Sequence, residues 1–426
     1  MMKKHFLNWG INAALGQIFR AFTDILLMTF AAGLSAFISL PLKLLAILGA
    51  APAYKKVQIR LSNNEVIAVS IFEHPNILIR YAQLFPLVLR RKIRLVGTHL
   101  QMEDVLSSSN TISIEESTGV FSLYFIRRSA RLANTSIAQC NKEYLDNHGM
   151  FKDISLILQL AIALILHQET PSEPDILDIF GIGILNVSMS EAVTLLEQGI
   201  LNKEQKRAYF VNADCLNKVF IDTEYYHYLR NNKYVFPDGS GVNLAAKILG
   251  NSLKENVNGT DMLPHICDLA QDKGYRVYLL GAAPSVAEEM KEKLVTRYPK
   301  LQICGYRDGY FNWEEMAGKV IEEINAVSTD ILLVALGAPL QERFIEKYGD
   351  LLSAKIILGV GGLFDFYSER IARAPMWMRQ IGMEWIFRLI QEPKRMWRRY
   401  IIGNPLFIYR VYRWKKTGKK DIHPEG

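Results

Sequence analysis

YRVYLLGAAPSVAEEMKEKLVTRY (275–298) and DILLVALGAPLQERFIEKYGDLL (330–352) decide how this chain is read. Each begins as a short β-rich apolar run, turns at a glycine, and continues with apolar residues three or four positions apart. A strand that is apolar on both faces needs a layer on each side, and a helix after it lets the next strand pair in parallel. Working outward, apolar runs at 208–211, 302–304 and 354–360 repeat the strand half of the unit. Amphipathic patterns at 261–273 and 313–326 repeat the helix half, the latter with a capping-box start at Asn312 and Glu315. The alternation predicts an α/β domain, a parallel sheet with helices on both faces. In such a sheet ligands gather at the C-terminal ends of the strands.

Glycines fall at those ends: Gly281 after one run, Gly305 and Gly309 after another, Gly337 after a third, and Gly359, Gly361 and Gly362 after a fourth. Glycine at a strand-to-helix turn lets backbone N–H groups approach an anion, and the following helix N-terminus favours negative charge. In any one loop the glycine merely closes a tight turn. Four along one edge point to a nucleotide or phosphate ligand. The chain has no Walker A sequence and no GxGxxG opening a strand–helix unit, which disfavours an ATPase and a dinucleotide oxidoreductase.

The whole chain has 426 residues, half of them apolar and 22% charged, which excludes a disordered chain and a polytopic transporter. The formal charge of +7 is unevenly spread: 388–420 carries eleven Lys or Arg against Glu392 alone. Such a block suits phosphates. Its aromatics, Trp397, Tyr400, Tyr409, Tyr412 and Trp414, suit a lipid interface, and no RNA-binding motif accompanies them. Cys140, Cys215, Cys267 and Cys304 form no CxxC pair and read as free thiols.

N-terminal to the α/β part, residues 25–42 carry no charge, and 44–54 are again apolar. That length is at the threshold for a membrane helix, and Pro41 would kink it. Basic residues flank both ends, so a span and a helix that turns back to the same leaflet are both open. Residues 56–70 alternate like strands around Asn63–Asn64, and 81–89 and 153–166 read as apolar helices. QETPSEPDILD (168–178) is the linker. The domain plan is 1–167, a membrane-associated α+β domain; 179–386, the α/β domain; and 387–426, a basic aromatic C-terminal appendage of helices.

Asp238, in FPDGSG (236–241), has two readings: an Asx turn or helix N-cap, and a general base in a cleft. A longer series then comes into view. It runs Val211-Asn-Ala-Asp-Cys-Leu216, Asp238-Gly-Ser-Gly-Val242, Val257-Asn-Gly-Thr-Asp261, Leu279-Leu-Gly281, Asp308-Gly-Tyr-Phe311 and Gly337-Ala-Pro-Leu-Gln-Glu342. It continues with Gly359-Val-Gly-Gly362, Phe364-Asp365, Arg373-Ala-Pro375, Glu384-Trp385 and Arg388-Leu-Ile-Gln-Glu-Pro-Lys-Arg395. In order and spacing, this resembles the WecB/TagA/CpsF glycosyltransferases, family 26, over about 180–413.

The resemblance implies a Rossmann-like transferase that moves an N-acetylmannosamine-type sugar from a UDP-sugar donor to a polyprenyl-diphosphate-linked sugar acceptor. The reaction inverts the anomeric carbon and uses no metal and no cofactor. Asp238 would be the base. Asn212, Gly259, Thr260 and Asp261 would line the sugar pocket. Gln341 and Glu342 would contact uridine or ribose, within a donor site edged by Gly281, Gly309, Tyr310, Gly337, Pro339, Gly362 and Asp365. Arg388, Arg395 and Arg398 would share a helix face and neutralise the leaving diphosphate. Asp222-Thr-Glu224 is no metal-binding DxD and reads as an exposed helix face. The basic aromatic tail makes membrane lipid an expected partner and nucleic acid not one, and the expected location is the cytoplasmic face of the inner membrane. The oligomeric state is open, a homo-oligomer included. This chain departs from the family at Phe210, where many members have Thr; at Pro237, where Ala is usual; and after Asp365, where the usual Ala-Gly is replaced, with Ser368 and Glu369 nearby.

Residues 15–167 resemble the monotopic phosphoglycosyl transferases through Arg94-Leu-Val-Gly97 as a turn, Gly119–Tyr124, Glu143-Tyr144 and the apolar helix. The family's catalytic Asp-Glu pair is replaced by about Arg80 and Tyr81, and its Pro-Arg-Pro by Thr98-His-Leu100. A degenerate domain kept as a membrane platform is the expectation. An inactive scaffold of a polysaccharide assembly complex is the alternative for the whole chain.

Overall fold

The computed structural model describes residues 54–61, 65–72, 77–100, 111–113, 115, 117–132, 135–147, 149–166 and 174–418, with five isolated positions between 29 and 38. Most of the apolar run at 25–54, the turn at Asn63–Asn64 and residues 168–173 of the linker lie outside the described residues. Two compact units emerge. One comprises Met1–Ala130 and Thr135–Glu169; the other comprises Arg131–Asn134 and Thr170–Gly426.

In the first unit, β1 (Tyr54–Arg60) pairs antiparallel with β2 (Val66–Phe72), so the alternation at 56–70 does form a strand pair. β3 (Arg94–His99) contains the Arg94–Gly97 motif as strand rather than turn. β4 (Thr111–Ser113) joins β1 in parallel, and β5 (Thr118–Ser122) joins β3 in parallel. Helices α1 (Leu123–Ser129), α2 (Ile137–Asp146) and α3 (Met150–Leu166) follow. α3 buries Leu156, Leu160 and Ala163 but leaves Leu158 exposed, so it has a covered side and an open one. Among the described residues, no helix is long and apolar enough to cross a membrane.

The second unit begins with a hairpin of β6 (Ile176–Ile179) and β7 (Ile182–Leu185), which replaces the C-terminal part of the expected linker. α4 (Met189–Leu201) starts in a full capping box between Ser188 and Glu191. Six parallel strands follow in the order β11-β10-β12-β13-β8-β9, where β8 is Lys206–Val211, β9 Tyr234–Pro237, β10 Arg276–Gly281, β11 Gln302–Arg307, β12 Ile331–Ala335 and β13 Ile356–Gly359. The predicted parallel sheet is therefore present, with β9 as an edge strand that the apolar-run reading passed over. Pro237 ends that edge, where a missing N–H costs no ladder bond.

Along each strand the side chains alternate between two cores. Tyr209, Val211, Tyr278, Leu280, Leu332 and Val334 face one. Ala208, Phe210, Val277, Leu279, Leu333 and Ala335 face the other. The first core is covered by α5 (Ala213–Lys218), α6 (Thr223–Asn231), α7 (Ser240–Leu249), α10 (Trp313–Ala326) and α11 (Leu340–Tyr348). The second is covered by α4, α8 (Gly259–Lys273), α9 (Val286–Arg297) and α12 (Leu363–Tyr367). At α10, Asn312 caps through Glu314 N–H; that cap replaces the expected box with Glu315.

The C-terminal stretch is α13 (Met376–Gln380), α14 (Glu384–Gln391), α15 (Pro393–Trp397), a π-helical turn (Arg398–Ile402) and α16 (Gly403–Lys416). Pro393 sits at the first position of α15, so it starts a new helix rather than kinking one. Phe407, Val411 and Trp414 of α16 are buried in the first core. At about 1.5–3 kcal/mol for each such side chain, this burial makes α16 part of the α/β unit. Tyr400 is also buried, so only Trp397, Tyr409 and Tyr412 of the interleaved aromatics stand exposed. Cys140, Cys215 and Cys267 are buried free thiols, and Cys304 is partly covered.

Candidate active site

Asp238 follows β9 directly, and its backbone N–H donates to Val211 O at 2.9 Å, so the ends of β8 and β9 are tied together. The cap of α7 is Gly239 at φ 89°, and no side chain caps that helix. Asp238 is thus neither cap nor Asx turn. Its carboxylate is half-buried and accepts one hydrogen bond, from Asn212 Nδ2 to Oδ2 at 3.1 Å. Asn212 caps α5, where its Oδ1 accepts from Asp214 N–H at 3.1 Å and Cys215 N–H at 3.2 Å. With Oδ1 occupied by two donors, the amide must turn Nδ2 toward Asp238. A helix cap therefore orients the candidate base, and Asn212 acts on Asp238 rather than standing apart from it.

The loop before α8 supplies Gly259, Thr260 and Asp261. A Cβ on Gly259 would lie 3.3 Å from the Phe210 ring. Phe210 itself stacks on Phe236, with centroids 5.8 Å apart. The departure at Phe210 is thus a packing change beneath the loop. Thr260 O accepts from Tyr367 OH at 2.9 Å. Asp261 is already engaged: Arg373 Nη2 lies 2.6 Å from Oδ1, and Asn258 Nδ2 donates to Oδ2 at 2.7 Å. Arg373 Nε also lies 3.6 Å from Glu384. Burial raises the Glu384 carboxyl's pKa, against the pull of Arg373. The acid–base network around Asp261 is therefore satisfied within itself and leaves Asp238 as the carboxylate with lone pairs to spare.

The glycine loops line up along the same edge of the sheet. Gly281 ends β10 opposite Ala335, and Gly309 N–H donates to Ala282 O at 2.9 Å. Tyr310 is 77% exposed. Gly337 takes φ 76°, and Pro339 caps α11 after a cis peptide. Gly362, Asp365 and Arg388 come together: a Cβ on Gly362 would lie 3.5 Å from Arg388 Nη2 and 3.7 Å from Asp365 Oδ2. Arg388 also stacks over Phe366 at 4.9 Å, and its buried Nε has no partner. Burial raises the Asp365 carboxyl's pKa, and Arg395 opposes this more than Arg388 does.

Four sequence-level readings need correction. Gln341 is 3% exposed and serves the loop rather than a ligand: its Oε1 accepts from Gly361 N–H at 2.8 Å. Glu342 is fully buried, so no ligand reaches it. Arg388, Arg395 and Arg398 lie on three successive elements instead of one helix face; Arg398 is exposed and stacks on its neighbour Trp397. Asp222 is a cap of α6, bonded to Tyr225 N–H at 3.0 Å and to Arg343 at 2.7 Å, so the exposed part of that stretch is Thr223 and Glu224.

The arginine that sequence reasoning missed is Arg399. Its Nε lies 3.6 Å from Asp214, on the cap turn of Asn212. Burial works against its charge, yet Tyr400, Asp214, Cys215 and Asp238 outweigh that and raise its pKa. Spacing could not single it out from Arg398, because the π-helical turn shifts which residue faces inward. Among the described residues, no three His, Cys, Asp or Glu side chains are grouped to hold a metal ion.

Glu342 carries a pH prediction. Burial lifts its pKa from 4.5 to about 7, although Gln341 donates to its Oε1 at 2.9 Å and Lys218 attracts it. The folded chain therefore holds a proton that the unfolded chain has already lost between those pH values. Stability should fall as pH rises from 4.5 to about 7, by on the order of 3 kcal/mol. Oε2 has no partner, so ionisation there is uncompensated. Glu342→Gln is expected to flatten this slope and to unfold at higher urea than the parent at pH 8. Equal slopes in both proteins between pH 5 and 8 would contradict the assignment.

Residues 177–421 match the sequence model of the family described as glycosyl transferase WecG/TagA/CpsF. An N-acetylglucosaminyldiphosphoundecaprenol N-acetyl-beta-D-mannosaminyltransferase of Bacillus subtilis (strain 168) is 31% identical over 248 residues, 58% of this chain and 94% of that protein. The protein of the same description in Bacillus spizizenii is 32% identical over 234 residues, 54% of this chain and 89% of its own length. One from Staphylococcus aureus (strain MRSA252) is 27% identical over 245 residues, 57% and 94% of the two chains.

Proposed function

The chain belongs to the WecG/TagA/CpsF glycosyl transferase family, and from that premise we propose that it transfers an N-acetylmannosamine-type sugar from a UDP-sugar to a polyprenyl-diphosphate-linked glycan. The observation that carries this reading is Asp238: a half-buried carboxylate with one oxygen held by Asn212, beside a sheet edge of glycine turns. Asp238 takes the proton of the acceptor hydroxyl. That oxygen bonds to the anomeric carbon as the bond to the diphosphate breaks, and UDP leaves with the electron pair. A single in-line displacement inverts the centre. The charge that develops on the diphosphate falls to Arg388, Arg395 and Arg399 and to backbone N–H groups at the helix starts. No metal is required by this scheme. The Bacillus and Staphylococcus relatives, named as N-acetyl-beta-D-mannosaminyltransferases acting on N-acetylglucosaminyldiphosphoundecaprenol, support the N-acetylmannosamine-type donor and the acceptor class.

The same proposal takes residues 1–167 as a degenerate sugar-transferase-like platform at the cytoplasmic face of the inner membrane. Support comes from the missing carboxylate pair at Arg80 and Tyr81. Exposed Trp397, Ile401, Ile402, Tyr409 and Tyr412 among the arginines and lysines of the C-terminal stretch add to it. The test is UDP release by the full chain in EDTA, across a panel of UDP-sugars, with and without a polyprenyl-diphosphate-linked N-acetylglucosamine. Release that needs both UDP-N-acetylmannosamine and the acceptor is expected. Release with another donor corrects the sugar. None with any donor, from a folded protein, overturns the reading.

A further inference from the structure

Residues 250–258 join α7 to α8, and they hold the Asp238 turn in place from below. Asn256 Oδ1 accepts from Gly239 N–H at 2.6 Å, so the residue after the candidate base is fixed by this loop. The loop is itself anchored at several points. Asn186, fully buried, donates to Ser252 O at 2.8 Å and accepts from Lys254 N–H at 2.7 Å. Glu255 accepts from Met189 N–H at 2.8 Å. The remaining anchor comes from far upstream. Arg131 O accepts from Asn256 N–H at 2.8 Å, and Arg131 Nη2 donates to Ser252 Oγ at 2.5 Å.

Arg131 is 7% exposed and takes φ 56°, a left-handed conformation unusual for a side chain of this size. It lies outside the matched stretch 177–421, yet Arg131–Asn134 group with the α/β unit, while the chain before them to Ala130 and after them from Thr135 to Glu169 does not. A strained, buried arginine that bonds through both its carbonyl and its guanidinium to one loop is over-determined by that loop. The same Asn256 that meets Arg131 through its backbone meets Gly239 through its side chain. Two hydrogen bonds therefore separate Arg131 from the residue next to Asp238.

We propose that Arg131 is a positioning residue for the candidate active site: it pins Ser252 and Asn256 so that Asn256 can hold the Asp238–Gly239 turn. The catalytic part of the chain is then discontinuous, and it needs a residue supplied from upstream of the linker. This proposal rests on Asp238 as the base, but its test does not need turnover.

The experiment is amide hydrogen exchange on the full-length chain, comparing the parent with Arg131→Gly, Ser252→Ala and Asn256→Ala. Arg131→Gly suits the left-handed φ, so the variant keeps its backbone while losing the guanidinium. Exchange in peptides covering 237–241 and 251–257 is expected to rise by roughly three- to ten-fold in each variant, the size of one lost hydrogen bond. Exchange in the central strands, 277–281 and 331–335, should be unchanged. Asn256→Asp, which keeps the acceptor for Gly239 N–H, should restore protection at 237–241. Unchanged exchange at 237–241 in Arg131→Gly and Ser252→Ala overturns the proposal. So does a uniform rise across all strands, which marks Arg131 as a general stabiliser. If the parent proves inactive with every donor, the functional reading fails while the exchange data still decide this one.

Discussion

Asp238→Asn is expected to lower acceptor-dependent transfer by about 10²–10⁴-fold without loosening the fold. The amide oxygen of an asparagine can still accept from Asn212 Nδ2, which now bonds Asp238 Oδ2 at 3.1 Å, and the Val211–Asp238 backbone bond is untouched. What disappears is the capacity to take a proton from the acceptor hydroxyl. Initial rates at saturating donor, together with the urea midpoint, check both halves of this expectation. A variant that keeps a third or more of the parent rate would move the base elsewhere. Asp261 is a poor substitute, because Arg373 and Asn258 already occupy both its oxygens. Glu384 would then be the group to examine, since its ionised form is disfavoured by burial.

Gly281→Ala should be the most damaging small substitution in the α/β unit. Gly281 takes φ 126°, and a Cβ there would lie 2.5 Å from Ala335 O and 2.6 Å from Ala335 C, both backbone atoms of the central strand β12. The clash cannot be relieved by a rotamer change. Left-handed strain and forced backbone movement together are expected to cost on the order of 2–6 kcal/mol, a large share of a typical domain's stability. Gly337→Ala is the matched control. It also has positive φ, at 76°, but nothing lies within 4 Å of its Cβ, so only the strain of roughly 1–2 kcal/mol remains. Urea unfolding of the two variants separates steric from conformational cost. Equal midpoints would mean that β10 and β12 part easily at this edge.

Much of this architecture was legible before any coordinates. Runs such as ILLVA at 331–335 are apolar at every position because both faces of the strand are covered, one by Leu332 and Val334, the other by Ile331, Leu333 and Ala335. That demand is local, and so is the placing of a glycine where a strand gives way to a helix. β9 escaped because YVFP at 234–237 is short and ends in a proline that an edge strand tolerates and a central one would not.

The site was less legible, because its parts depend on which way side chains point. Motif order brought Asn212, Asp238, Gly259 and Asp261 to one edge. Only packing revealed that Asn212 grips Asp238 while Arg373 grips Asp261. Spacing of seven and three chose Arg398, but the π-helical turn at 398–402 turns Arg399 toward Asp214 instead. The family resemblance made Gln341 and Glu342 contacts to uridine or ribose; burial withdraws both. Arg131 could not be found at all, being separated from Ser252 by 121 positions. Sequence by itself determined the parallel sheet and the edge where chemistry gathers, because strand periodicity and glycine turns are set within a few neighbouring residues. Only the tertiary structure decided which polar groups are spent on one another and which distant residue bonds the loop beside the Asp238–Gly239 turn, because those depend on close packing between elements far apart in the chain.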